Sequence, residues 1–163
     1  MSSDRFEQAV DKLNALIRGI RVAMLTTVDE DGALRCRPMA ALERGSENGV
    51  LWFVTSEASH KILQVENERH VNVAYASPED NRYVSVSGAG RLVRDRKKAT
   101  ELWTPVLKAW FPDGVDSPDL ALLRVEVTLA EYWDSSSSRM AQLTGFAEGE
   151  EPAWTRYEEH PLH

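Results

Sequence analysis

The sequence of 163 residues has one cysteine, no long apolar run and no excess of basic charge. A lone thiol, Cys36, cannot form an intramolecular disulfide, and it fits a reducing compartment, so the cytoplasm is the expected location. The longest apolar candidate, VAMLTTV, falls far short of the ~20 residues a membrane span needs, so no membrane partner is expected. The opening residues MSSDRFEQAV lack the basic and apolar segments of a signal peptide. Acidic residues outnumber basic ones 26 to 19, a net charge of −7, which disfavours nucleic acid because phosphate backbones select basic surfaces. Any phosphate-bearing ligand must meet a local basic patch. Of the four histidines only His160 and His163 lie close in sequence, and two ligands do not complete a tetrahedral site, so no metal is expected. There is no GxxxxGK[ST], and Gly88-Ala89-Gly90 leads into strand-like residues rather than a helix, which excludes a dinucleotide fingerprint.

What is present suits one globular domain. Apolar residues make up 42% and charged residues 28%, and a chain of this length buries a sizeable core without a metal or disulfide. Phe6, Val10, Leu13, Leu16 and Ile17 recur at helical spacing and stop at Gly19, which predicts an amphipathic helix. The period then changes to two: Val22, Met24 and Thr26 alternate with Ala23, Leu25 and Thr27, and Asp29-Glu30-Asp31-Gly32 forms a hairpin turn. Strands are expected over 33–42, 50–55, 70–76, 83–93 (with a bend at Gly88 and Gly90) and 120–133, where Ala121, Leu123, Val125, Val127 and Leu129 share a face. A short helix capped by Ser59 is expected over 59–67. A second starts near Asp95 and runs through Leu102, Trp103, Leu107 and Trp110; Pro105 either ends its first turn or marks where two helices meet. The sum is an α+β fold, mainly antiparallel β, with a closed or nearly closed barrel as the economical way to hide strand edges. We expect a single domain over 1–146 and a peripheral tail over 147–163.

Three segments carry possible chemistry. RCRPMAAL (35–42) sets two arginines in an apolar strand, with Arg35, Arg37 and Met39 on one face, and Pro38 requires an edge or a bulge. Cys36 points away from both arginines and reads as an inert strand residue. FVTSEASHKI (53–62) ends a strand in hydroxyls and reaches a helix start with Ser59 and Lys61, which offers N–H groups, hydroxyls and a cation to a phosphate. Ordinary capping with a solvated lysine explains that segment equally well; its coincidence with Arg37 favours the anion site. LWTPVLKAWFPDG (102–114) is rich in aromatics, which serve as core or as a stacking surface for a planar ring.

The order RCRPM, LWFVTSEASHKI, NRYVSVSGAGRLV, LWTPVLKAWFPDG and LALLRVEVTLAEYWD resembles the general stress protein 26 family of the pyridoxamine 5′-phosphate oxidase-like, FMN-binding split-barrel proteins, over about residues 5–146. The resemblance implies a split β-barrel with flanking helices, a homodimer, and FMN at the subunit interface, FAD being the variant cofactor. By position it implies that Arg37, Pro38 and Met39 lie along the flavin, with Arg37 at the phosphate or ring edge. Val54, Thr55 and Ser56 match the strand end that contacts flavin, Ser59 and Lys61 the phosphate-binding serine and lysine, and Trp110 and Phe111 a wall of the pocket. His60 stands where the oxidases commonly have arginine. NRYVSVSG replaces their NRQVRVEG, so Tyr83 and Ser85 stand for glutamine and arginine, and their C-terminal arginine-histidine motif is missing from EEHPLH. These departures speak against pyridoxamine 5′-phosphate oxidation but not against flavin binding.

The resemblance therefore implies an FMN-dependent oxidoreductase of stress response, with no side chain required as general acid or base because the flavin carries the electrons. The alternative is a flavin carrier, sensor or scavenger without turnover. A split barrel for deazaflavin F420 or heme ranks below both, and heme is disfavoured because His60 alone lies in the pocket segments.

Overall fold

In the computed structural model, residues 2–56, 69–136 and 139–146 are described. The elements run α1 (Ser2–Ile17), β1 (Val22–Val28), β2 (Leu34–Ala40), β3 (Val50–Ser56), β4 (His70–Ser77), β5 (Arg82–Val93), α2 (Arg96–Leu102), α3 (Leu107–Trp110), β6 (Leu120–Trp133) and β7 (Ala141–Leu143). The expected helix over 59–67, with Ser59 as its cap, lies outside the described residues, as does the tail over 147–163. Among the described residues no helix is long and apolar enough to cross a membrane.

All pairings are antiparallel, in the order β2-β1-β4-β5-β6-β3, and β7 adds to β6 beyond the end of β3. The hairpin expected around residues 29–32 is present, with Gly32 at a positive φ of 84° and its N–H donating to the Asp29 carbonyl. Among the described residues hydrogen bonds do not close the sheet, so the fully closed form of the barrel is not adopted: β2 and β3 stand at opposite ends of the ladder. The ends nevertheless meet through side chains. Met39 of β2 shares a buried cluster with Leu51 and Phe53 of β3, and on the other face Ala40 shares one with Val54. Pro38, which has no N–H to give, thus sits on an edge strand, as its chemistry requires.

Two clusters occupy the two faces. The inner one joins Leu13, Leu16 and Ile17 of α1 to alternate residues of the strands, among them Leu25, Val73, Val86 and Val125. The outer one is covered by Ala99, Leu102 and Leu107 of α2 and α3. Asp95 caps α2 by accepting from the Lys98 N–H at 3.0 Å. Pro105 lies between two separate helices, because its ring cannot follow a helical turn.

The connection between β2 and β3 is gripped from both sides. Asn14 of α1 accepts from the Ser46 N–H (2.8 Å) and hydroxyl (2.9 Å) and donates to its carbonyl (3.2 Å). Next to it, Glu47 pairs with Lys98 of α2 at 2.7 Å and with Arg44 at 2.8 Å. Both cations hold the Glu47 carboxyl below its ordinary pKa, the Lys98 hydrogen bond most of all.

One expectation about β6 is corrected. Leu123, Val125 and Val127 face the inner core as the alternation demands, but Ala130 and not Leu129 continues that row. The cause is a bulge: Ser87 pairs with Leu129 while Gly88 pairs with Val127, so Thr128 is an extra residue that reverses the facing of the strand beyond it. Its hydroxyl donates to the Ser87 carbonyl at 3.2 Å. A Cβ on Gly88 would collide with the Glu126 carbonyl oxygen, so only glycine permits this approach. Gly88→Ala is accordingly expected to destabilise the fold by ~1–3 kcal/mol in chemical denaturation, the usual scale of a backbone-displacing clash. Unchanged stability would show that the bulge tolerates a side chain.

Candidate functional site

Antiparallel register decides which side chains can converge. Arg37 lies opposite Leu25, and Met39 opposite Ala23, so these β2 residues share the inner face with the buried row of β1. On β3, Leu51, Phe53 and Thr55 form the inner row, since Leu51 and Phe53 belong to the inner cluster. Thr27 closes the β1 row and Thr55 the β3 row. Antiparallel order along the ladder brings Thr27, Arg37 and Thr55 toward one end of the inner face, where β1 finishes, β2 starts and β3 finishes.

At this end an apolar interior turns polar. Thr27 is fully buried, and its Oγ1 accepts a 2.7 Å hydrogen bond from Arg37 Nη1, which also donates to the Leu25 carbonyl at 3.3 Å. Partial burial is the largest influence on the Arg37 guanidinium and lowers its pKa, and the nearby Arg35 acts in the same direction. The group stays charged, because guanidinium does not lose its proton in proteins. A charge withdrawn from water in this way gains from an anion placed against it.

Thr55 supplies a second signal. It is 1% exposed, and its hydroxyl finds no hydrogen-bond partner among the described residues. Leaving a buried hydroxyl unpaired costs about 1–3 kcal/mol, so this is a group that a ligand could satisfy.

The remaining expected residues divide between the two faces. Met39 is 2% exposed and packed in the inner core, which leaves its backbone as the part that could meet a ligand. Pro38 is exposed on the other face of β2. Val54 and Phe111 both belong to the outer cluster, whereas Trp110 is exposed at the end of α3. Ser56 ends β3 partly buried, and Ser59 and Lys61 lie outside the described residues. Arg37 and Thr55 therefore both face the inner side of the sheet, whereas Val54 and Phe111 pack together on the outer one. Among the described residues no group of three or more His, Cys, Asp or Glu side chains could hold a metal.

Two features were not foreseen as functional. Thr27 was visible only as a polar residue ending the row Ala23, Leu25, Thr27; that interruption was the available signal. The other is a mainly apolar groove of about 310 Å³ on the outer face, lined by Val22, Met24, Ala74, Tyr83, Ser85 and Met140 among others. Tyr83 leans on Trp133 at 5.8 Å between ring centroids along its rim.

The family model described as pyridoxamine 5′-phosphate oxidase like matches residues 8–150. The chain belongs to this family. Among the solved members it is similar to the general stress FMN/FAD binding protein of Xanthomonas citri, with 32% identity, a TM-score of 0.65, and coverage of 83% of this chain and 94% of that one. General Stress Protein 26 of Bacillus anthracis is 25% identical with a TM-score of 0.67, covering 82% of this chain and 97% of that one. Protein bli-3 of Neurospora crassa is 29% identical over 154 residues, which are 88% of this chain and 73% of the fungal protein. The general stress protein branch of the family is thus the one that this chain resembles in sequence and in fold.

The unpaired hydroxyl gives a direct check on the site. Thr55→Val keeps the shape and β-branching while removing the orphaned group, so the ligand-free protein is expected to be as stable as wild type or more stable by about 1 kcal/mol in thermal or urea unfolding. A clear loss of stability would mean that the hydroxyl is satisfied within the chain.

Proposed function

We propose that this protein binds FMN, with FAD as the variant cofactor, and acts as a flavin-dependent oxidoreductase of a stress response. The observation that carries the reading is the orphaned, buried Thr55 hydroxyl on β3, taken with a partly buried Arg37 that Thr27 orients on the inner face of β2. An anionic, hydrogen-bond-rich cofactor suits that pair, and a relative 32% identical is described as FMN/FAD binding. Arg37 would hold the phosphate or the ring edge, and Thr55 and Ser56 would present hydroxyl and backbone groups. Ser59 and Lys61 come three and five residues after Ser56, close enough along the chain to add a hydroxyl and a second cation to the phosphate. Pro38, Met39 and Val54 would contribute strand backbone beside the ring, and Trp110 and Phe111 an aromatic wall.

The flavin, when bound, supplies the electron transfer. The chain's part is to bind and orient it and to keep water from one side of it. Neither arginine nor threonine titrates near neutral pH, so none of the described site residues is cast as a proton donor. A site of this kind serves equally a flavin carrier, sensor or scavenger without turnover, which is the second reading.

The wider setting accords with the same reading. A split barrel is the architecture that the family resemblance implies, and the side-chain contact between the unpaired ends of the sheet supports it. A homodimer with flavin at its interface is implied by the same resemblance, and the lone cysteine, unpaired in the structure, accords with a cytoplasmic location. Tyr83 and Ser85 give the apolar outer groove an uncharged wall where the oxidases carry glutamine and arginine, so pyridoxamine 5′-phosphate is not the proposed substrate.

Purified protein is expected to be yellow or to take up added FMN, and Lys61→Ala or Arg37→Ala to weaken binding by about 1.5–3 kcal/mol, the scale of a charge-assisted hydrogen bond. Thr55→Val should weaken it too. A colourless protein that fails to bind FMN would sink the reading. Bleaching of bound flavin by NADH or NADPH at a catalytic rate separates the enzyme from the carrier.

A further inference from the structure

Arg37 could point in many directions, because an arginine on an edge strand has four side-chain torsions and solvent nearby. Two contacts to β1 bear on its orientation. Nη1 is engaged by two acceptors on that strand, the Thr27 hydroxyl at 2.7 Å and the Leu25 carbonyl at 3.3 Å. The carbonyl contact is the longer one, and it would survive any substitution on β1. The hydroxyl contact depends on one side chain. Thr27 is 0% exposed in a row otherwise made of Ala23 and Leu25, where valine would fill the same volume without burying an oxygen. A polar atom in that place requires compensating bonds, and the guanidinium supplies one of them at 2.7 Å.

We propose that Thr27 is a positioning residue that fixes the guanidinium of Arg37 for an anionic ligand. Register supports this assignment: Thr27 is diagonal to Arg37 across the β1–β2 ladder, so the guanidinium is drawn along the inner face toward the end of the sheet where Thr55 lies. A fixed guanidinium loses less freedom when its ligand arrives, which strengthens binding without any contact between Thr27 and the ligand. The inference rests on the flavin reading for the identity of the anion, FMN, but not for the hold of Thr27 on Arg37.

Two measurements test it separately. In the ligand-free protein, the side-chain nitrogen NMR signals of Arg37 should report slow guanidinium rotation in wild type and Thr27→Ser, and clearly faster rotation in Thr27→Val, where only the longer carbonyl contact on β1 is left. Thr27→Ala serves the same purpose if the valine variant does not fold. Rotation as fast in wild type as in Thr27→Val, or as slow in Thr27→Val as in wild type, overturns the proposal whatever the ligand is. In FMN titrations, Thr27→Val should lose about tenfold in affinity and Thr27→Ser little, a change on the scale of one hydrogen bond. Combining Thr27→Val with Arg37→Ala should weaken binding no further than Arg37→Ala alone, because the threonine acts through the arginine. Wild-type affinity in Thr27→Val, or losses that add in the double variant, overturns the positioning role while leaving the flavin reading intact. Failure of the wild-type protein to bind FMN overturns the flavin reading and the ligand role of Thr27 together, and the ligand-free spectra then stand alone on whether Thr27 holds Arg37.

Discussion

The close passage of Gly88 against the Glu126 carbonyl is the constraint on which the rest of the architecture depends. β5 and β6 form the longest ladder of the sheet, and every other strand hangs from one or the other side of that pair. A bulge at Gly88 bends the ladder and increases its twist, which is what lets a six-strand row curl until its end strands touch. It also sets which residues face inward on either side of it. Were Thr128 paired as a regular strand residue, Leu129 would take the place of Ala130 in the inner core, and a larger side chain would have to fit there. The backbone of a single glycine thus governs both curvature and core composition.

Curling has a consequence for chemistry. The end strands β2 and β3 exchange no ladder hydrogen bonds, yet they share buried clusters on both faces. Their connection is anchored by Asn14 to α1 and by the Glu47–Lys98 pair to α2. An unzipped seam held at its connection leaves one backbone edge of each end strand outside the ladder, and Arg37 and Thr55 lie on those two strands. The seam lets an acidic protein present a cation in a sheltered place. Its net charge of −7 disfavours a phosphate ligand at long range, but screening confines that effect to about 8 Å at physiological salt, and a partly buried arginine acts well inside that distance.

Local features of the fold were legible in the sequence because they depend on neighbouring residues. The β1–β2 hairpin arises from alternation on each side of Asp29-Glu30-Asp31-Gly32, the end of α1 from Gly19, and the break between α2 and α3 from Pro105. The pairing of β3 with β6 was not legible, since it joins residues about 70 apart in the chain and nothing in either strand names its partner. Nor was β7, whose three residues are too few for a periodic signal. The site was legible in part for the same reason. Alternation correctly put Arg37 and Met39 on one face of β2, but whether that face was core or surface depended on β1, whose Ala23 and Leu25 make it the inner one. Val54 and Thr55 were grouped as adjacent residues of one motif; the pleat sends them to opposite sides of the sheet.

That separation argues for how a ligand would use the strand end. A molecule lying on one side of β3 can meet the hydroxyl of Thr55 or the cluster around Val54 and Phe111, but not both side chains at once. Backbone groups near the end of the strand are the part accessible from either side. A binding motif that spans both faces therefore works through the main chain, with one side chain of the pair directed at the ligand and the other holding the strand against α3. On this view Val54 and Phe111 matter by fixing the position of the strand end, and Thr55 by supplying the unsatisfied hydroxyl. The two halves of the motif differ in kind: one is stabilised by the fold alone, and the other leaves a polar group that no described residue pairs.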